Sequence, residues 1–206
     1  MHALIVVSHP EPGSLTHSIA QRIAEGVSLS AQGNSFEIAD LAAEAFDPRF
    51  SAADLAASRG QAAPPADVIA EQARIDRADA LVLVYPVYWW SMPGLLKGWI
   101  DRVFVNGWAF DFGADAQLVK KLGHLRVHLV GIGGADIQTY TRHGYADAMK
   151  TQIDHGIFDY CGAQVPTSML LLDSETRPPD THLESAHAIG RNLFTPPQQC
   201  PATTAL

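Results

Sequence analysis

Residues 80–85 read Ala-Leu-Val-Leu-Val-Tyr, an apolar run with no polar face, and Pro86 ends it. A strand with one solvated face alternates polar and apolar side chains. One that does not alternate is covered on both sides, as inside a parallel sheet, and proline stops it because it cannot donate to the ladder. Around this run, strand and helix patterns alternate along the chain, which predicts a doubly wound α/β fold. The expected strands are residues 3–7, 35–39, 80–85, 125–131 and 165–172, with a helix over 16–27 after the first. Five strands arranged in the order 2-1-3-4-5 place a switch point between the first and third, where open sheets bind ligands at their carboxyl ends. Residues 40–65 break the alternation and read as an irregular connection. At 206 residues with 47% hydrophobic side chains, the chain suits one domain with a sizeable core, residues 1–194, and a loose tail over 195–206.

Three segments follow strands that end at that edge. After the third strand come Pro86, Val87, Tyr88, Trp89 and Trp90, before Pro93 restarts a helix at a first-turn position. Such a loop offers backbone groups to the rim of a flat heterocycle and aromatics to its faces, although aromatic clusters also serve as core plugs. After the first strand the chain reads Ser8-His9-Pro10-Glu11-Pro12-Gly13-Ser14-Leu15-Thr16-His17-Ser18. The start of a helix there, with the hydroxyls of Ser14, Thr16 and Ser18, has the form of a phosphate cradle, or of an ordinary N-cap. After the fourth strand, Gly133 and Gly134 permit positive φ and close backbone approach, and Tyr140 follows. All three loops meet in one cleft.

Composition narrows the chemistry. A net charge of −8, from 14 Lys plus Arg against 22 Asp plus Glu, disfavours nucleic acid and anionic membrane as partners. No apolar run reaches membrane-spanning length, and Met1 leads straight into a strand. Cys161 and Cys200 show neither metal spacing nor disulfide density, which favours a reducing cytoplasm. Dinucleotide Gly-x-Gly-x-x-Gly, P-loop, Gly-x-Ser-x-Gly and His-Glu-x-x-His motifs are missing, so the chemistry is expected to be a cofactor's.

Asp67-Val68-Ile69-Ala70-Glu71-Gln72, Ala78-Asp79, the loop 86–90, Pro93, Leu95-Leu96-Lys97-Gly98-Trp99 and Asp101-Arg102-Val103-Phe104 together resemble the NAD(P)H:quinone oxidoreductase (DT-diaphorase-like) family of flavodoxin-fold flavoproteins. The similarity runs over most of residues 2–194. The resemblance implies a flavodoxin-like fold and a flavin whose ring rests on Pro86, Val87, Tyr88, Trp89 and Trp90. His9, Ser14, Leu15 and Thr16 would hold its phosphate, and Gly133 and Gly134 would border its pyrimidine side with the Tyr140 hydroxyl near O2. His182 stands where longer relatives contact the adenine, at a position usually Arg, which favours FAD over FMN. The segment 108–112 matches one that closes the substrate pocket across a homodimer interface, with Trp89, Phe110 and Phe112 as pocket residues.

Two departures from the family stand out. Ala146 occupies the position of a histidine that accompanies the tyrosine, leaving Tyr140 alone, or His143 or Tyr145, to stabilise charge. Phe110 and Phe112 replace two tyrosines, removing two hydroxyl donors and weakening the preference for quinones. The expected activity is two-electron reduction of quinones or azo-type acceptors by NAD(P)H through ping-pong hydride transfer. A flavin-bound regulatory or ancillary subunit of an ion-efflux system is the second reading, and a one-electron flavodoxin-type carrier the third.

Overall fold

The computed structural model describes residues 1–112 and 117–195. Cys200 and the expected tail beyond Thr195 lie outside the described residues. In chain order the first half comprises β1 (His2–Val7), α1 (Leu15–Ser30), β2 (Ser35–Asp40), α2 (Ala52–Ser58), α3 (Ala66–Asp76), β3 (Ala80–Pro86) and α4 (Gly94–Val103). There follow β4 (Phe110–Phe112), β5 (Leu118–Lys120), β6 (Arg126–Ile132), α5 (Ile137–Arg142), α6 (Tyr145–Met149), a π-helix (Lys150–Asp159), β7 (Gln164–Leu171) and α7 (Pro179–Asn192).

The main sheet has the order β2-β1-β3-β6-β7, with every neighbouring pair parallel. This is the expected 2-1-3-4-5 topology, renumbered because β4 and β5 form a separate antiparallel hairpin. Period-two side-chain alternation splits the sheet's apolar residues between two cores. Leu4, Val6, Leu81, Leu83 and Leu129 face α3, α4 and the π-helix, while Ala3, Ile5, Val7, Val82, Val84 and Val130 face α1 and α7. Every residue of β3 is buried, which is why its sequence carries no polar face.

α1 and α7 touch at two glycines. A Cβ at Gly190 would lie 2.0 Å from the Ile23 carbonyl oxygen, and one at Gly26 2.4 Å from that of His187. This contact packs the second half of α1 closely against α7.

Two sequence expectations need correction. Residues 40–65 are not wholly irregular, because Ser51 and Asp54 form a reciprocal capping box that starts α2. Pro93 is the N-cap of α4, one position before its first helical residue, with ψ of 151°.

His128, on β6, is 2% exposed and shares a 3.0 Å hydrogen bond between its Nδ1 and the Thr167 hydroxyl. Burial, assisted by the charge of Arg126, lowers its pKa to about 4. The unfolded imidazole titrates near 6.5, so His128 favours the fold above that pH, and its contribution is lost as pH falls from about 6.5 toward 4. His128→Leu is expected to flatten the acid-side decline of the urea midpoint over this window. Parallel pH profiles for the two proteins would refute the assignment.

Candidate active site

The loops after β1, β3 and β6 converge at the carboxyl edge of the sheet and enclose two adjoining cavities. One, of about 240 Å³, is lined by His9, Ser14, Leu15 and Thr16 from the first loop, and by Pro86, Val87 and Tyr88 from the second. Ile132, Gly134, Ser174 and Glu175 complete it. The other, of about 210 Å³, is lined by Val87, Trp89, Trp90, Gly134, Ala135 and Tyr140. Val87 and Gly134 belong to both, so the two form a continuous slot. Two larger grooves, of about 540 and 500 Å³, lie away from this edge, against the π-helix and between α1 and β2.

The first cavity sits on the start of α1. Ser14 is the N-cap, its Oγ accepting from the His17 N–H at 3.4 Å, and no acidic residue occupies the first turn. The positive end of the helix dipole therefore faces the cavity, with the Glu175 carboxylate on its border. The hydroxyl of Ser18 is not a ligand donor as expected, because it donates to the Ser14 carbonyl at 3.3 Å. His9 Nδ1 lies 3.0 Å from the Glu11 N–H and 3.3 Å from the Glu11 carbonyl oxygen, so the ring is held against its own loop. Ser8, 1% exposed at the end of β1, has an Oγ with no partner among the described residues. Ser8 lines neither cavity.

The second cavity owes its shape to a strained turn. Tyr88 and Ser91 exchange N–H···O bonds of 3.0 and 3.1 Å, closing a two-residue loop around Trp89 and Trp90. Both tryptophans take positive φ, 49° and 57°. Hairpin turns of that kind normally hold Asn-Gly, and the left-handed conformation costs a side-chain-bearing residue about 1–2 kcal/mol. Strain of this kind clusters at ligand sites, which makes the turn a candidate. Its effect is to send the two rings opposite ways. Trp89 is 94% exposed, whereas Trp90 stacks on Tyr145 with centroids 3.8 Å apart and meets the edge of Tyr140 at 5.2 Å.

Tyr140 is 1% exposed, and its Oη lies 2.7 Å from the place a Cβ on Gly133 would take. Neither Gly133 nor Gly134 uses the positive φ that its sequence allows. Gly133 provides space instead, admitting the phenol to the rim of the slot. Burial raises the Tyr140 pKa above its ordinary value, so the group stays a neutral O–H donor through the physiological range.

Around Tyr140 the structure supplies what the sequence left open. Ala146 packs against the core, and Tyr145 stacks on both Trp90 and His143, the latter at 5.2 Å. Tyr145 thus supports the platform, and Arg142 Nε donates to His143 Nε2 at 3.3 Å. His182 lies on α7, 4% exposed, lines neither cavity, and has an Nε2 without a partner among the described residues. Phe110 and Phe112 also line neither cavity. They lie on β4, where Phe110 meets Tyr160 edge-on at 5.3 Å and Phe112 is 54% exposed. Trp108 is tied inward, its Nε1 donating to Asp76 at 3.1 Å. Sequence reasoning missed Ser174 and Glu175 in the slot, and the engagement of His17 with Ser14 and Asp40 beside it.

Comparison with known proteins agrees with this fold. A family model described as a flavodoxin-like fold matches residues 1–192. Ribosyldihydronicotinamide dehydrogenase (quinone) of Mus musculus is 30% identical over 183 residues, spanning 79% of this chain and 77% of its own length. The structure of NAD(P)H:quinone oxidoreductase from Methanothermobacter marburgensis superposes with a TM-score of 0.86 at 26% identity, covering 94% of this chain and 98% of that one. An FMN-dependent NADH-azoreductase from Bacillus anthracis str. Ames Ancestor, solved in complex with FMN, shares the fold, with a TM-score of 0.68 at 17% identity over 94% of this chain and 97% of its own.

Proposed function

The chain belongs to the flavodoxin-like family whose model spans residues 1–192, and from that membership we propose that it is a flavin-dependent reductase passing two electrons from NAD(P)H to quinones or similar acceptors. One observation carries the reading: an anion cradle at the start of a helix opens directly into an aromatic-walled slot, the two sharing Val87 and Gly134. The residues fit a flavin on two counts: a slot rim kept open by glycine at 133, and a neutral phenol at the far end. Bound there, a flavin supplies reversible two-electron chemistry. The protein's part is to hold and shield it.

In this reading His9, Ser14, Leu15 and Thr16 hold the phosphate end. Val87 and Tyr88 offer backbone groups along the ring, and Tyr140 donates from Oη to the pyrimidine edge. Trp90, fixed on Tyr145, backs the ring platform, while the exposed Trp89 supplies an outer wall for NAD(P)H and acceptor in alternation. Alternate occupancy of that one face by donor and acceptor would give ping-pong kinetics. FAD is the proposed flavin, because the cradle cavity continues to Ser174 and Glu175, acceptors suited to the hydroxyl and amino groups of an adenosine.

We place the active site at a homodimer interface. Phe112, at 54% exposed, and Phe110 lie on a hairpin that closes neither cavity of its own chain, a surface that a two-fold partner would cover. Among the described residues no helix is long and apolar enough to cross a membrane. Among the described residues Cys161 is unpaired and buried, and burial pushes its thiol up to about 11, which makes it unreactive.

The test is direct. The purified protein is expected to be yellow, to release FAD on denaturation, and to oxidise NAD(P)H with menadione. Release of FMN would move the reading to that flavin, and a protein that takes up neither flavin would overturn it. Phe110→Glu is expected to shift the protein toward monomer and cut menadione turnover about tenfold or more. A fully active monomer by light scattering would refute the shared site.

A further inference from the structure

Three side chains at the cradle are joined in series. Ser14 Oγ lies 2.8 Å from His17 Nδ1, and His17 Nε2 lies 2.8 Å from Asp40 Oδ2. The other carboxylate oxygen of Asp40 accepts from the backbone N–H groups of Ala42 and Ala43, both at 3.1 Å. Burial opposes the charge on Asp40, but the hydrogen bonds from His17 and these amides prevail and hold its carboxyl below the usual range. Asp40 is therefore an ionised acceptor, which obliges His17 Nε2 to carry a proton.

The rest follows from counting protons. With His17 neutral, its Nδ1 is bare and takes the only proton of the Ser14 hydroxyl, so Ser14 turns a lone pair toward the cradle and repels an anion. With His17 protonated, Nδ1–H donates to Ser14 Oγ, and the hydroxyl proton is released to point at a ligand. The same event places a positive charge one hydroxyl away from a cavity lined, among the described residues, by no Lys or Arg. We propose that His17 is a positioning residue whose protonation switches Ser14 from acceptor to donor, so that binding of a phosphate-bearing ligand in the cradle takes up a proton.

Other ionisable groups near this series are few. His9, from the β1–α1 loop, meets the His17 ring edge-on at 6.2 Å, and Asp40 comes from β2. On α1 itself Arg22 is paired with Glu25. From α7, packed along α1, comes buried His182, and Glu175 borders the cavity. Among the described residues, His17 alone hydrogen-bonds both the Ser14 and the Asp40 side chains. Its side chain is only 12% exposed, so bulk water does not substitute for either partner.

The proposal rests on the reading of the cradle as a flavin-phosphate site, and the experiment separates the two. Calorimetric titration of the flavin-free full chain with FAD is run from pH 6 to 8.5 in buffers of different ionisation heat, with riboflavin, which lacks phosphate, as control. FAD binding is expected to take up a proton above neutrality and to weaken as pH rises, by up to about tenfold per pH unit, while riboflavin shows neither effect. His17→Gln should abolish the uptake while still binding FAD, and Asp40→Asn should diminish it. FAD binding without uptake, uptake that survives His17→Gln, or equal uptake with riboflavin overturns the relay alone. If neither FAD nor riboflavin binds, the cofactor reading fails and takes the relay with it.

Discussion

Arg102→Met is expected to cost the fold about 3–5 kcal/mol, the range found when one member of a buried ion pair is removed. Arg102, on α4, is 6% exposed. Its Nε donates to Asp54 Oδ1 at 3.0 Å, and its two terminal nitrogens fork onto Asp67 at 2.6 and 3.1 Å. Nη1 also donates to the Asp47 carbonyl at 2.8 Å, and the guanidinium lies 5.2 Å from the centre of the Phe46 ring. One side chain thus ties α4 to α2, to α3 and to the connection after β2. The Asp54 side chain is fully buried, so methionine would strand a carboxylate with only the Ser51 N–H and hydroxyl for support. Urea denaturation at pH 7 reads the loss. Arg102→Met combined with Asp54→Leu should recover part of it, since the stranded charge is then gone. A loss below about 1 kcal/mol for the single variant would show that the network is not integral to the fold.

Gly133→Val is expected to weaken flavin binding by about 100-fold, about 2.7 kcal/mol, in a chain that keeps its secondary structure. A Cβ at this position meets Tyr140 Oη at 2.7 Å and Leu172 Cδ2 at 3.0 Å. The phenol cannot retreat, because Tyr140 is almost fully buried with Trp90 against it. It must swing out of the slot or carry the Trp90 platform with it, and either motion spoils the ring seat. Gly133→Ala should cost about tenfold. In a Tyr140→Phe background the same alanine should cost less, because the hydroxyl that it strikes is absent. An unchanged dissociation constant for Gly133→Val would remove Tyr140 from the site.

Much of the architecture was readable from local pattern. Residues 80–85 announced a doubly covered strand, and the alternation around them the parallel sheet, because burial on both faces demands apolar side chains at consecutive positions. The convergence of loops 9–16, 86–90 and 133–140 followed from strand order alone, since every parallel strand ends at the same edge. The family segments 67–72 and 101–104 were visible as a resemblance, but their purpose was not. Asp67 receives Arg102, Gln72 Nε2 donates to the Val103 carbonyl at 3.0 Å, and Glu71 accepts from Trp99 Nε1 at 2.8 Å. These residues brace the scaffold.

The sequence by itself determined the order of elements, the sheet's covered faces and the edge at which chemistry can occur, because each depends on periodicities of a few residues and on the handedness of their connections. Only the tertiary structure decided which tryptophan faces solvent and which becomes a platform, since two non-glycine residues at positive φ have no local signature and are held there by the Tyr88–Ser91 closure. It alone joined Ser14 and His17 to Asp40, 23 residues further along, and Arg102 to Asp54 and Asp67, 48 and 35 residues away. It also showed that Gly133 is small for the sake of Tyr140 rather than for its own backbone. Hydrogen-bond partners and van der Waals space are set by distance, and distance between remote residues exists only once the sheet has brought its loops together.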